Sequence, residues 1–179
     1  MKKVLSFLLI VFLMVGCNMM NTPTKKVEEF LMSYQTLSED VVSDLELSAE
    51  MENLSSTNKI TYMDVMQRNY KNLKYEIANE NVNGDEAVVT AKITVYDLYK
   101  AMKESNDYLT DNSTEFEVNG VYDQNKYREY ELNQMLKTNY TVDYTISFNL
   151  SKVDEEWVLN EPDNVVKEKI HGIYNYELE

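Results

Sequence analysis

The chain has 179 residues, with 31 acidic and 17 basic side chains, a formal charge of −14, four glycines, two prolines and one cysteine. Nucleic acid and anionic lipid head groups repel so acidic a chain, so neither is an expected partner of its folded part. Few glycines and prolines and no low-complexity tract argue against disorder, and a lone cysteine excludes an internal disulfide, leaving stability to a hydrophobic core.

In chain order, Lys2 and Lys3 precede an apolar run from Val4 to Gly16 interrupted only by Ser6. A basic start, a short apolar stretch and small residues at its end make a secretory signal. The run holds thirteen residues, whereas a membrane-spanning helix needs roughly 20. No second stretch of spanning length follows, which excludes a multispan protein. The segment Leu13-Met14-Val15-Gly16-Cys17 resembles the lipobox of bacterial lipoproteins. The resemblance implies a thioether lipid on Cys17 and removal of residues 1–16. Leucine is usual where Met14 stands, a departure that conserves size and polarity. In an oxidising compartment a spare thiol invites unwanted pairing, so a single cysteine at this place reads as the lipid site.

Removal of Lys2 and Lys3 leaves 15 basic against 31 acidic residues, a charge of −16. Several acyl chains, as lipoproteins normally carry, anchor durably where one would bind only marginally. Asn18 to Asn21 form a tether of at most ~14 Å. Asn18, where an aspartate would favour inner-membrane retention, gives no such cue. The expected location is the outer face of the cytoplasmic membrane, or the outer membrane in a host that has two.

Residues 22–179 read as a single domain. Thr22-Pro23 opens a helix with a cap and a proline at its first position, and Val27, Phe30, Leu31 and Tyr34 form one apolar stripe. Ser38, followed by Glu39 and Asp40, starts a second helix with Val41, Leu45 and Ala49 inward. Leu54 to Lys59 reads as a polar loop, and a third helix, capped at Thr61 with Asp64 three residues on, carries Met63, Met66 and Tyr70.

The period then switches to two. Leu73, Tyr75 and Ile77 alternate with polar residues up to Asn83-Gly84, a hairpin signal that wants positive φ at both positions. Ala87, Val89, Ala91, Ile93 and Val95 mark the next strand. Val142, Tyr144, Ile146, Phe148 and Leu150 mark a later one, which an acidic turn at Asp154 to Glu156 joins to a short partner with Trp157 and Leu159. Such one-sided alternation means an antiparallel sheet with one face covered by helices, an α+β fold of about four strands. Between the hairpins, Leu98, Met102 and Leu109 suggest one helix. Tyr127, Leu132 and Met135 suggest another starting near Asp123, and the polar stretch Thr110 to Asn125 joins the two. Glu161-Pro162-Asp163 opens a C-terminal helix with Val166, Ile170 and Ile173 on one face.

Three N-terminal helices followed by two hairpins of a curved sheet, behind a lipobox, resemble the nuclear-transport-factor-2-like (cystatin-like) superfamily, in particular small uncharacterised lipoproteins of low-GC Gram-positive bacteria. Thr22-Pro23 through Tyr34, the Asn83-Gly84 hairpin and the Lys152-to-Trp157 turn carry the likeness, over about half the chain. The insertion between the hairpins is longer than the family pattern and the C-terminal helix is extra; either could cover the cone-shaped cavity that many members use. That superfamily hosts enzymes and binding modules alike, so the fold does not choose between them. Its ketosteroid-isomerase-like enzymes pair a tyrosine with an acid in the cavity, a position that Tyr144 or Tyr75 could reach.

Catalytic and cofactor signals are lacking. His171 is the sole histidine; near a helix C-terminus, where the dipole favours a cation, it reads as structural. Asp107 to Glu117 lacks the alternating ligands and central glycine of a calcium loop, and no glycine-rich phosphate loop exists. No metal or cofactor is expected. The fourteen tyrosines, with Tyr122, Tyr127 and Tyr130 close together and Tyr174 and Tyr176 near the end, suit either recognition of sugars, peptides or proteins or the filling of half-buried positions. The favoured reading is a lipid-anchored, non-enzymatic domain that binds a small ligand, a cell-wall component or an envelope protein. A small isomerase or hydrolase working in the sheet cavity is the alternative.

Overall fold

The computed structural model describes residues 21–178; the signal expected at 1–16, Cys17 and most of the expected tether lie outside the described residues. Three helices, α1 (Pro23–Gln35), α2 (Glu39–Met51) and α3 (Ser56–Lys71), precede a hairpin of β1 (Lys74–Asn83) and β2 (Glu86–Tyr96). An insertion follows, with α4 (Leu98–Asp111), the two-residue strands β3 (Glu117–Val118) and β4 (Val121–Tyr122), and α5 (Gln124–Lys137). A second hairpin, β5 (Thr141–Val153) and β6 (Glu156–Leu159), leads into α6 (Asn164–His171). The large sheet has the order β1-β2-β5-β6, antiparallel throughout, which confirms the α+β architecture with a helical insertion and a C-terminal helix. Among the described residues no helix is long and apolar enough to cross a membrane.

The expected caps at Thr22, Ser38 and Asp123 all accept hydrogen bonds from their helices' first turns. The third helix differs from its expectation. Its cap is Ser55, whose Oγ accepts from the Asn58 N–H at 3.3 Å, and Thr61 sits in the second turn. The stretch looked like a loop because its inward residue is polar: buried Asn58 donates to the Asn125 carbonyl at 3.0 Å, while Ile60 faces water.

The turn of the first hairpin lies one residue later than expected. Asn83 pairs with Glu86, so Gly84-Asp85 form the turn, and only Gly84 has positive φ (63°). This is the Gly-first pattern of the II′ class. A primed turn with both positions left-handed does occur at the second hairpin, where Asp154 (φ 50°) and Glu155 (φ 66°) connect paired Val153 and Glu156. It recurs at Asn119-Gly120 (φ 54° and 79°) between β3 and β4, a hairpin inside what had read as a plain linker.

The side chains sort into two cores. In the first, Ala87 to Val95 of β2 and Tyr144 to Leu150 of β5 meet Val27 and Leu31 of α1, Trp157 and Ile170. The other sheet face is solvated, and on it Lys92 and Thr94 engage Asp143 at 2.8 and 2.7 Å. The second core is helical: Leu45, Val65, Met66, Tyr70, Leu98, Ala101, Leu132 and Met135. Asn69 joins the two. Fully buried, it donates to the Ile170 carbonyl and accepts from the Tyr96 N–H, both at 3.0 Å. Gly172 makes the join tight. Its φ of +73° ends α6 one residue before Ile173, and a Cβ there would stand 2.2 Å from the Tyr96 carbonyl oxygen.

Candidate functional site

The inner sheet face, where a cavity was anticipated, is filled by α1, α6 and the C-terminal segment rather than by the inserted helices. Phe30 packs edge-on against Phe148 at 5.8 Å, and Tyr144 is buried edge-on against Tyr174 at 5.9 Å.

A cleft of about 660 Å³ opens instead at the far end of the helical half. One wall is the end of α2 and the residues after it: Glu52, Asn53 and Leu54. The other runs from Tyr122 of β4 along the first turns of α5, through Gln124, Asn125, Tyr127, Arg128 and Glu131. Local chemistry builds that wall. Asp123 caps α5 by accepting from the Asn125 and Lys126 N–H groups, and the Asn119-Gly120 turn folds β4 back so that Tyr122 lies at the rim, 48% exposed. Residue 131 then lies one turn on from both 127 and 128, at i+4 and i+3, and meets each of them.

Glu131 is the centre of this arrangement. Its side chain is only 5% exposed, and the Arg128 guanidinium donates to its Oε2 through Nη1. The second guanidinium arm donates to Glu52 Oε2 at 3.0 Å, across the cleft. One arginine therefore serves two carboxylates, one on α5 and one at the C-terminal cap of α2. The Tyr127 hydroxyl lies 3.5 Å from Glu131 Oε1 and donates more closely to Asn106 Oδ1, at 2.6 Å. Burial first, then the Glu131 charge, pushes the Tyr127 pKa up, so the phenol stays protonated. The lining offers carboxylates, amides, phenols and a guanidinium, but no histidine, cysteine, serine or lysine. Such a set can orient a polar ligand; it holds no nucleophile paired with a base. Among the described residues no group of three or more His, Cys, Asp or Glu is placed to hold a metal.

The tyrosines divide between the two roles considered for them. Tyr130 stacks on Tyr108 at 5.0 Å, and Phe116 meets Tyr127 edge-on at 5.3 Å, so these rings fill space. Of that group Tyr122 and Tyr127 line the cleft, Tyr122 at its exposed rim and Tyr127 as a buried part of its wall.

His171 lies apart, in a groove of about 400 Å³ between α2 and α6, with its ring 5.7 Å from Tyr70. The expectation of a cation at the helix end is corrected here. Burial, with Lys167 adding to it, lowers its pKa from 6.5 to about 4, so desolvation outweighs the helix dipole and the ring is neutral. Cys17 cannot be placed relative to either site, since it lies outside the described residues.

No protein-family model and no curated protein matches this chain. Among solved structures, a crystal structure of a protein described as a "putative lipoprotein", YcdA of Bacillus subtilis, is similar over 76% of this chain and 47% of its own, at 17% identity and a TM-score of 0.44. The chain thus spans less than half of that protein's length, and a likeness of this size carries neither a family nor a function across.

Proposed function

We propose that this chain is an exported lipoprotein: residues 1–16 are removed, Cys17 carries the lipid, and residues 22–179 form one α+β domain on the outer face of the cytoplasmic membrane. In a host with two membranes the outer one is its home. The run Lys2 to Cys17, with its basic start, short apolar core and lipobox-like end, supports the anchor. The domain binds rather than catalyses. It takes a polar small molecule, a cell-wall fragment or a segment of an envelope protein into the cleft between α2 and α5.

One observation carries the binding reading: Glu131, almost fully buried, is held by Arg128, which also reaches Glu52 on the opposite wall. Carboxylates on both sides of a guanidinium suit a ligand that offers amine, amide or hydroxyl donors to the acids, and Tyr122 supplies an aromatic edge for a sugar or peptide to lie against. Native mass spectrometry of residues 18–179 purified from the host tests it. The expected result is a bound mass that Arg128→Ala removes; a consistently empty wild-type chain would contradict a small ligand and favour protein partners.

A further inference from the structure

The entry of the chain into the fold is fastened at one pole of the molecule. Asn21 Oδ1 accepts from the Trp157 N–H of β6 at 3.0 Å, and the Thr24 N–H donates to Glu80 of β1 at 2.9 Å. Both anchor points lie beside the two hairpin turns, which are themselves joined where the Lys152 N–H donates to the Asp85 carbonyl at 2.8 Å. From this pole α1 runs along the inner sheet face to the opposite end, where Gln35 Nε2 donates to the Leu73 carbonyl just ahead of β1.

Beyond that end lie α3 and α5, side by side and parallel. Arg68 donates to the Thr138 carbonyl at their sheet-proximal ends, and Asn58 donates to the Asn125 carbonyl at their starts. The outer sheet face is solvated and the inner one is taken by α1 and α6, so α3 and α5 project past the sheet. The cleft at their starts is therefore the pole opposite Asn21. β2 alone, with 11 residues at about 3.3 Å each, sets the two ends of the sheet on the order of 35 Å apart.

Resting on the lipid-anchor reading above, we infer that the domain stands on the bilayer with its hairpin turns toward the lipid head groups and the Glu131–Arg128 cleft pointing away. The chain from Cys17 to Asn21 reaches at most ~14 Å, shorter than the separation of the poles, so the domain cannot invert, with its cleft end down and Asn21 away from the lipid, while the Asn21 clamp holds. Charge keeps the lower pole from embedding. Asp85, Asp154, Glu155 and Glu156 are exposed there, while the nearby Lys25, Lys26 and Lys152 pair with Glu28, Glu29 and Glu155. Anionic head groups repel such an end, and the tether alone holds it.

Energy transfer on the full lipidated chain tests the orientation. The thioether on Cys17 leaves an introduced cysteine as the single free thiol, so Asp85→Cys and Gln124→Cys can each carry one donor dye. The proteins are placed in mixed phosphatidylcholine–phosphatidylglycerol vesicles containing a head-group acceptor. Transfer from position 85 is expected to exceed that from position 124 several-fold. Equal transfer, or more from position 124, would overturn the orientation while co-flotation with the vesicles still upholds the anchor. Failure to float would overturn the anchor and the orientation with it.

Discussion

The sheet half and the helical half bury their residues by different rules. Around β2, β5 and α1 every buried side chain is apolar, and the polar members of each strand face water. Among the described residues the six buried polar ones, Asn58, Asn69, Asp97, Ser105, Glu131 and Thr138, all lie on α3, α4 and α5 or at their ends. Each is partnered: Asp97 caps α4 and accepts from the Tyr176 hydroxyl at 3.1 Å, and Ser105 donates to the Ala101 carbonyl at 2.8 Å. Burying polar groups costs stability unless they are bonded, so a core that keeps six of them trades packing energy for specific positions. The sheet half packs as an apolar scaffold; the helical half, with its guanidinium between two carboxylates, holds the polar cleft on which the proposed binding rests.

The largest effect should come where the halves join. Asn69→Ala strands the half-buried Tyr96 N–H and the buried Ile170 carbonyl, at an expected cost of about 3 kcal/mol in urea unfolding. A neutral result would mean that the polar core is not what fixes the two halves together. A smaller loss should follow from acid. Because the pKa of His171 is lowered to about 4 in the fold against 6.5 unfolded, the unfolded chain takes up the proton first. Stability is then full above pH 6.5 and falls as pH drops toward 4, by about 2 kcal/mol once partial solvent screening is allowed for. Carboxylates titrate in the lower part of that window, so the informative quantity is the difference from His171→Gln, which should lack this component. Identical pH profiles for the two proteins would return His171 to the role of a surface cation.

The smallest change belongs to the sheet half and should be a gain. Asp154 and Glu155 both hold left-handed backbone without being glycine. Glu155→Gly relieves that strain and should raise stability by about 1 kcal/mol. A loss would show that the Glu155 side chain, paired with Lys152 at 3.7 Å, matters more than its backbone.

The same contrast explains what could be read from the sequence. Alternation in Ala87–Val95 and Val142–Leu150 has one physical cause, a single covered face, and it located both central strands. Helical positions were legible where the inward residue is apolar, as at Leu45, Leu132 and Met135. They were misread where it is polar, as at Asn58, or where an apolar residue faces out, as at Ile60. The small hairpin at Asn119-Gly120 was missed because only Val118 and Val121 flank it, too few residues to show alternation. The cleft was out of reach altogether. Glu52 and Arg128 are 76 residues apart, and nothing in the surroundings of either points to the other.

The proposed anchor and the proposed outward-facing cleft both depend on Cys17, so lipid attachment is the property to measure first. The full chain, produced in a lipoprotein-processing bacterial host fed an alkyne analogue of palmitate, should take up the label. Cys17→Ala should take up none and should leave the membrane fraction or remain unprocessed. An unlabelled wild-type chain, or equal labelling and membrane retention of the alanine variant, would contradict the assignment.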